Sequence, residues 1–188
     1  ESRPRARGQA RAVRDLRQAV DEAEKLEDSH QYEAALELYQ QAEKTAAEDI
    51  PEGINDRFAG RIAEGAMRVQ ARQDELRELE AELQQATNSA RYEEARELAG
   101  RLVESRPMVA DDWFAKIEEG EERLARREQV IEQTLQRAEQ LQQREKHQEA
   151  LEAFREAREL AGEYEQHAGY QKTAQARIEE LEDRKSVV

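Results

Sequence analysis

The sequence predicts an all-α protein, an elongated tandem array of three antiparallel three-helix bundles linked by long continuous helices. Apolar residues recur at helical spacing along nearly the whole chain, and strong helix formers dominate its composition. Only three prolines and eight glycines interrupt the 188 residues. A long part of the chain also repeats itself at a fixed distance, as helical repeat proteins do.

Composition by itself would also fit a disordered chain. The protein is 39% charged with a formal net charge of -14, and Leu, Ile, Val and Phe make up about 17% of it. The helical periodicity favours order, and the shortage of large apolar residues predicts thin bundles with small cores. Disulfides and thiol chemistry are excluded because the sequence has no cysteine.

No apolar run approaches the ~20 residues that span a bilayer, and no apolar segment of a signal peptide is present. We therefore expect a cytoplasmic protein with no transmembrane segment. The chain begins with Glu1 rather than methionine, which favours its being part of a longer, multidomain protein.

A shift of 55 residues aligns a long part of the chain with itself, and Gly65 then coincides with Gly120. The other coincidences are Ile54 with Val109, Asp56 with Asp111, Phe58 with Trp113, Ile62 with Ile117, Val69 with Leu124, Leu76 with Ile131, and Tyr92 with His147. A shift of 116 reveals a third copy, in which Leu181 stands where the others have glycine. So many matches indicate duplication.

The other half of the unit also occurs three times, as QYEAALELYQQA, RYEEARELAGRL and KHQEALEAFREA. In each copy four residues follow one another at steps of three, four and three, which places them on one helical face. These residues are Tyr32, Ala35, Tyr39 and Ala42, then Tyr92, Ala95, Ala99 and Leu102, and finally His147, Ala150, Phe154 and Ala157.

Breaker residues divide the chain into helices. Tight turns are predicted at 28–31, 87–90 and 144–147, and longer connections at 48–56, 104–112 and 163–171. Between them we expect long helices over about 55–87 and 110–144, and short ones over about 31–48, 91–104 and 147–163. Asp56 and Asp111 can serve near the N-caps of the long helices that follow.

A long helix cannot pair along its whole length with a partner half as long. The second half of each long helix, the next short helix and the first half of the following long helix are therefore predicted to form one bundle. The resulting divisions are a basic N-terminal arm or linker at 1–8, and bundles at 9–71, 72–126 and 127–186.

Gly65 and Gly120 interrupt helices at apolar-face positions, where glycine costs about 1 kcal/mol relative to alanine. Our main interpretation is that the missing side chain lets a neighbouring helix approach closely. The alternative is a bend where one bundle continues into the next.

The short-helix motif, preceded by Ala23 and Leu26 in the first copy and by Ala138 and Leu141 in the last, resembles the core of a tetratricopeptide repeat. The spacing of 60 and then 55 residues departs from the ~34 of that family because a third helix is added. With that helix, each unit more closely resembles the MIT (microtubule interacting and transport) domain. QYEAALELYQQA followed by RIAEGAMRV, and HQEALEAFREA followed by RIEELEDR, carry this resemblance.

The unbroken long helices are similar to those of spectrin-type rods. The resemblance to the MIT domain implies grooves between helices that accept a partner helix, and it does not indicate a particular ligand.

An enzyme needs a convergent set of polar groups in a pocket, and the sequence offers none. The histidines are His30, His147 and His167. Glu27 and His30 form one E-x-x-H pair, whereas di-iron bundles need two such pairs and two further glutamates. No phosphate-binding glycine loop, Walker-type lysine or nucleophile elbow is present. We therefore expect no catalytic activity, no cofactor and no metal.

The charged residues are mostly interpreted as solvated helix faces. Pairs four residues apart support exposed helices by a few tenths of a kcal/mol each. They are Glu64 with Arg68, Glu119 with Arg123, and Glu180 with Arg184. His147 is interpreted as a packed or turn-capping residue and Trp113 as a core residue.

The first 17 residues carry a net charge of +4, and the remainder carries -18. This basic segment could contact nucleic acid, an acidic lipid surface or an acidic partner, or complement the acidic body of a neighbouring molecule. We favour a linker to a preceding domain, because the acidic body would repel phosphate.

The predicted function is a non-enzymatic module for protein–protein interaction or scaffolding, monomeric and part of a larger protein. Its candidate partner groove contains Tyr32, Tyr39, His147 and Phe154, and its expected ligand is a protein or amphipathic peptide segment. The alternative is a passive α-helical rod or spacer between flanking domains. An uncovered apolar groove would favour the module, and charge on every exposed face would favour the spacer.

Overall fold

A computed structural model describes residues 2–49 and 52–186, with side chains over 8–48 and 58–183. These residues form seven α-helices and one short 3-10 helix, η1, and contain no strand. In chain order the elements are α1 Ser2–Asp28, α2 Tyr32–Asp49, α3 Glu52–Asn88, α4 Tyr92–Leu102, α5 Pro107–Gln143, α6 His147–Ala161, η1 Glu165–His167 and α7 Ala168–Ser186. The prediction of an all-α protein is confirmed.

The predicted alternation of long and short helices is also confirmed. α3 and α5 each have 37 residues, about 55 Å at 1.5 Å per residue. α4 and α6 have only 11 and 15 residues.

The long helices begin earlier than predicted. α5 starts at Pro107, whose fixed φ and missing N–H suit the first helical position. Asp56 and Asp111 are each the fifth residue of their helix, so they lie close to the helix start but not at the N-cap.

The basic N-terminal segment is helical. α1 begins at Ser2, so residues 2–8 belong to the same helix as the residues that follow them. Alanine and arginine favour this extension, and proline is tolerated in the first turn.

The three predicted tight turns share one backbone conformation. Each contains a residue with positive φ, namely His30 at 59°, Ala90 at 54° and Glu145 at 60°. In each turn two N–H groups donate back to the preceding helix in the pattern of a Schellman motif. Glycine is the usual residue here, because the left-handed region costs other residues about 1 kcal/mol. All three turns lack glycine, and the third turn also lacks asparagine, aspartate and serine, so it has the weakest turn signal in the sequence.

The chain divides into two compact units. The first unit consists of Glu1–Glu82 and Arg101–Met108, and the second of Leu83–Gly100 and Val109–Val188. In the first, α1 packs against α2, and in the second, α7 packs against α6 and η1. The residues of the predicted middle bundle are shared between the two units.

The repeated face of the short helices is the buried face. In the first unit Tyr32, Ala35, Tyr39 and Ala42 are all buried. In the second unit Ala150, Phe154 and Ala157 are buried, whereas His147 is exposed. The many buried alanines make these cores thin, as the composition predicts.

Candidate interaction surfaces

Gly65 of α3 provides space for the ring of Tyr39. A Cβ added at Gly65 would lie 2.5 Å from Cε1 and 2.6 Å from the hydroxyl oxygen of that ring. Tyr39 is fully buried, and its hydroxyl donates to Glu27 over 3.3 Å. Burial, and next the Glu27 carboxylate, raise the pKa of Tyr39 to about 12. Glu27 in turn accepts hydrogen bonds from Arg68 over 3.0 and 3.1 Å.

Gly120 of α5 accommodates a tyrosine in the same way. A Cβ added there would lie 2.6 Å from Cε1 and from the hydroxyl oxygen of Tyr92. Burial, and next the nearby Tyr164, raise the pKa of Tyr92. Gly65 and Gly120 both lie inside unbroken helices. The interpretation that these glycines permit a close approach is therefore confirmed.

The repeat alignment does not predict which tyrosine fills each space. Gly65 and Gly120 are equivalent, but Tyr92 aligns with Tyr32 and not with Tyr39. The tyrosine that meets the glycine is thus displaced by two helical turns between the copies. In the third copy Leu181 replaces the glycine and lies in one core cluster with Phe154.

Three of the four residues of the predicted partner groove are buried. Tyr39 and Phe154 are fully buried and Tyr32 is 8% exposed, so all three belong to the cores of their units. Only His147, the first residue of α6, is exposed. These aromatic side chains would have to leave the core before they could contact a partner.

Glu27 and His30 have structural partners. The Nδ1 atom of His30 lies 2.7 Å from the hydroxyl oxygen of Tyr32, and Glu27 binds Tyr39 and Arg68. The described residues contain no group of three or more His, Asp or Glu side chains placed to hold a metal ion.

His167 of η1 is the least exposed histidine. It is 2% exposed, and its ring meets those of Tyr164 and Tyr170 edge-on, at centroid distances of 5.7 and 6.1 Å. Its Nδ1 atom is buried without a hydrogen-bond partner among the described residues. Trp113, predicted as core, is 8% exposed, and the Nζ atom of Lys116 lies 4.4 Å from its ring centroid.

Two surface cavities have charged and polar linings. One, of about 310 Å³, lies between α6 and α7 and is called the α6–α7 groove. It is lined by Arg158, Gln171, Lys172, Gln175, Ala176 and Glu179. The other, of about 450 Å³, lies along α1 and is lined by Arg14, Arg17, Gln18, Asp21, Glu22 and Lys25. Ala176 is the one apolar residue in these two linings.

The exposed large apolar residues among the described side chains are Met67, Val103, Met108 and Val130. Scattered apolar residues of this kind are normal on a protein surface and do not by themselves mark a binding site.

Ion pairs join neighbouring helices inside each unit. In the first, Arg61 of α3 binds Asp21 and Glu24 of α1 over 3.1 and 2.8 Å. In the second, Arg155 of α6 binds Glu182 of α7 over 2.7 Å. Exposed pairs contribute about 0–1 kcal/mol each, so they support the packing without dominating it.

The predicted pairs within helices form only in part. Glu119 and Arg123 approach to 3.8 Å. The ion pair of Arg68 is with Glu27 of α1 and not with the predicted Glu64, because a neighbouring helix offers the better-placed carboxylate. Glu180 pairs with Arg177, and the side chain of Arg184 lies outside the described residues.

No protein-family model, no curated protein and no solved structure matches the chain. The likeness to tetratricopeptide and MIT repeats therefore rests on the sequence motifs alone. Among residues 2–49 and 52–186, none of the helices combines the length and the apolar character that crossing a bilayer requires.

Proposed function

We propose that this chain is a non-enzymatic helical-repeat module for protein–protein interaction or scaffolding. In this proposal it contains three tandem three-helix bundles, similar to tetratricopeptide and MIT repeats, at about residues 9–71, 72–126 and 127–186. The three turns of identical backbone conformation support the tandem arrangement. So does the alternation of 37-residue helices with helices of 11 and 15 residues.

The α6–α7 groove is the observation that carries the proposal. It presents two cations, one carboxylate and two side-chain amides around Ala176. The amide oxygen of Gln175 already accepts a hydrogen bond from Arg158 over 2.8 Å, whereas Lys172 is exposed at the surface. Such a lining fits the polar side of an amphipathic partner helix, because charges of both signs select its orientation.

Capture of partners by the intact chain tests this function. Lys172→Glu reverses one charge of the groove, and Lys44→Glu makes the same change at an exposed site on α2. We expect Lys172→Glu to lose proteins that the wild type and Lys44→Glu both capture. The thermal midpoints of both variants should stay within about two degrees of the wild type, because exposed substitutions change stability little.

Retention of every captured protein by the double variant Arg158→Glu/Lys172→Glu would contradict recognition through this groove. That outcome would favour the alternative function, a passive spacer between flanking domains. The spacer is supported by the burial of Tyr39 and Phe154 and by the charged residues that cover the exposed helix faces.

A further inference from the structure

α1 presents an arginine-rich face to solvent. The buried side of this helix consists of Leu16, Val20 and Ala23. On the opposite side Arg11, Arg14 and Gln18 follow one another at steps of three and four, and all three are exposed. Arg17 adjoins them, since it lines one cavity together with Arg14 and Gln18. These four polar residues are called the α1 basic face.

The cations of the α1 basic face are available to a partner. Within the described part of the chain, Arg14 and Arg17 form no ion pair. Arg11 meets Asp15 only at 3.7 Å, and 84% of the Arg11 side chain is exposed. All three guanidinium groups can therefore reach an anionic group on another molecule.

The beginning of α1 lacks the apolar residues that would let it join a helical bundle. Gln9 is equivalent to Val69 at the spacing of 60 residues between the first two copies. Val69 is fully buried, whereas Gln9 and its neighbours from Gly8 to Arg11 are all exposed. Charge, rather than apolar packing, must therefore provide recognition at this end of the helix.

α6 presents the complementary surface. Five glutamates follow one another along it at steps of three, four, three and four, which places them on one side of the helix. All five are exposed, and they are called the α6 acidic face: Glu149, Glu152, Glu156, Glu159 and Glu163. The other side of α6 is buried in the second unit through Ala150, Phe154 and Ala157.

The centre of the α6 acidic face is free of internal ion pairs. Glu149, at one end, binds Lys146 over 2.9 Å, and Glu163, at the other end, binds Arg127. Glu156 and Glu159 lie between them and form no ion pair with any described residue. Their carboxylates can therefore accept hydrogen bonds from outside the chain.

We propose that the α1 basic face binds the α6 acidic face of a second copy of this chain. The inference goes beyond the proposed function, because neither face belongs to the α6–α7 groove. Two different faces meet in this contact, so it is heterologous and can be repeated from copy to copy.

The two faces match in length as well as in charge. Arg11 and Arg17 are six residues apart, about 9 Å along the helix, and Glu152 and Glu159 are seven apart, about 10 Å. Ion pairs between neighbouring helices already occur inside each unit, as between Arg155 of α6 and Glu182 of α7. The proposed contact uses the same kind of pair between copies.

The charge of the rest of the chain favours a second copy over nucleic acid. Residues 18–188 carry a net charge of -18, which repels a long polyanion. The net charge of -14 on each copy also opposes self-association. Salt screens charges beyond about 8 Å at physiological ionic strength, so close pairs act more strongly than the distant repulsion. We therefore expect a weak association that grows with protein concentration.

Sedimentation of the intact chain over a range of protein concentrations tests the inference. The wild type should associate as its concentration rises. Arg14→Glu/Arg17→Glu should weaken this association at least about tenfold, because carboxylates would then face carboxylates. Glu156→Lys/Glu159→Lys should weaken it to a similar degree. An equimolar mixture of the two reversed proteins should associate again, because their faces are complementary.

Matched controls separate the two faces from the net charge. Lys44→Glu/Arg137→Glu and Glu43→Lys/Glu64→Lys change the net charge by the same amounts at exposed positions outside both faces. Each should change the association by less than about twofold, because distant charges are screened.

A wild type that stays monomeric at every concentration overturns the inference, and so does an association that survives either charge reversal. If only Arg14→Glu/Arg17→Glu weakens the association, the α1 basic face binds a different acidic surface and the α6 acidic face is excluded. Lys172→Glu should leave self-association intact, so this inference and the groove proposal can fail separately.

Discussion

Replacing Gly65 by alanine tests how tightly Tyr39 is packed. The added methyl would lie 2.5 Å from Cε1 of a ring that is fully buried. Overpacking of this kind costs about 1–3 kcal/mol, whereas alanine gains about 1 kcal/mol over glycine inside a helix. A distance of 2.5 Å between two carbon atoms is far inside van der Waals contact, so the overpacking cost should exceed the gain in helix propensity. We therefore expect a net loss of about 1–2 kcal/mol in the free energy of unfolding.

Gly60→Ala is the matched control, since Gly60 lies on the same helix and the added methyl would meet no atom within 4 Å beyond its chain neighbours and the backbone of its own helix. It should stabilise the protein by about 1 kcal/mol, so the two variants should differ by about 2–3 kcal/mol. Urea denaturation followed by circular dichroism measures both values.

Tyr39→Leu removes the ring, and in that background Gly65→Ala should become as favourable as Gly60→Ala. If Gly65→Ala is as stable as Gly60→Ala in the wild-type background, the packing argument is refuted. A loss that persists unchanged in the Tyr39→Leu background would also contradict it, because the methyl would then have no ring to meet.

Three further predictions concern the turns, the core and the buried phenol. Ala90→Gly should raise the free energy of unfolding by about 0.5–1 kcal/mol, because the φ of Ala90 is 54° and glycine adopts this value without strain. Ala81→Gly, at an exposed position inside α3, should lower the free energy of unfolding by about 1 kcal/mol. Equal effects of the two substitutions in denaturation curves would contradict the turn geometry. Phe154→Ala should lower the free energy of unfolding by about 3–5 kcal/mol, whereas His147→Ala should lower it by less than about 0.5 kcal/mol. Urea denaturation measures both values. Similar losses for the two variants would contradict the placement of Phe154 in the core and of His147 at the surface. The pKa of Tyr39 rises from 10.0 to about 12 on folding, so the stability that its protonated hydroxyl contributes is complete below pH 10 and is lost as the pH rises through 12. Tyr39→Phe should therefore flatten the fall in the free energy of unfolding over that pH range. An unchanged pH profile would contradict the pKa shift.

The helices and turns could be predicted because their determinants are local. Apolar steps of three and four residues identify the buried faces of α2 and α6, and the repeat locates the turn at 144–147 although it contains no glycine. The start of α5 differs from the prediction for a local reason as well. α5 begins at Pro107, four residues before Asp111, because proline suits the first helical position.

The candidate site could be predicted less well, because a buried face and a binding face have the same periodicity. Tyr39 and Phe154 were placed correctly on the repeated face, but the spacing of residues along one helix does not reveal whether other helices cover that face. The groove between α6 and α7 was missed, since its lining of Arg158, Lys172 and Glu179 resembles any solvated helix surface.

The residues alone predict that this protein is helical, where its turns lie, and that Gly65 and Gly120 have equivalent roles. The packing of the helices against one another determines that Tyr39 fills the first space and Tyr92 the second, although these tyrosines are not equivalent in the repeat. Packing also determines that Arg68 pairs with Glu27. Helix propensity and capping act over one or two turns of a single helix, whereas the register between helices depends on the volumes and charges that meet across their interface.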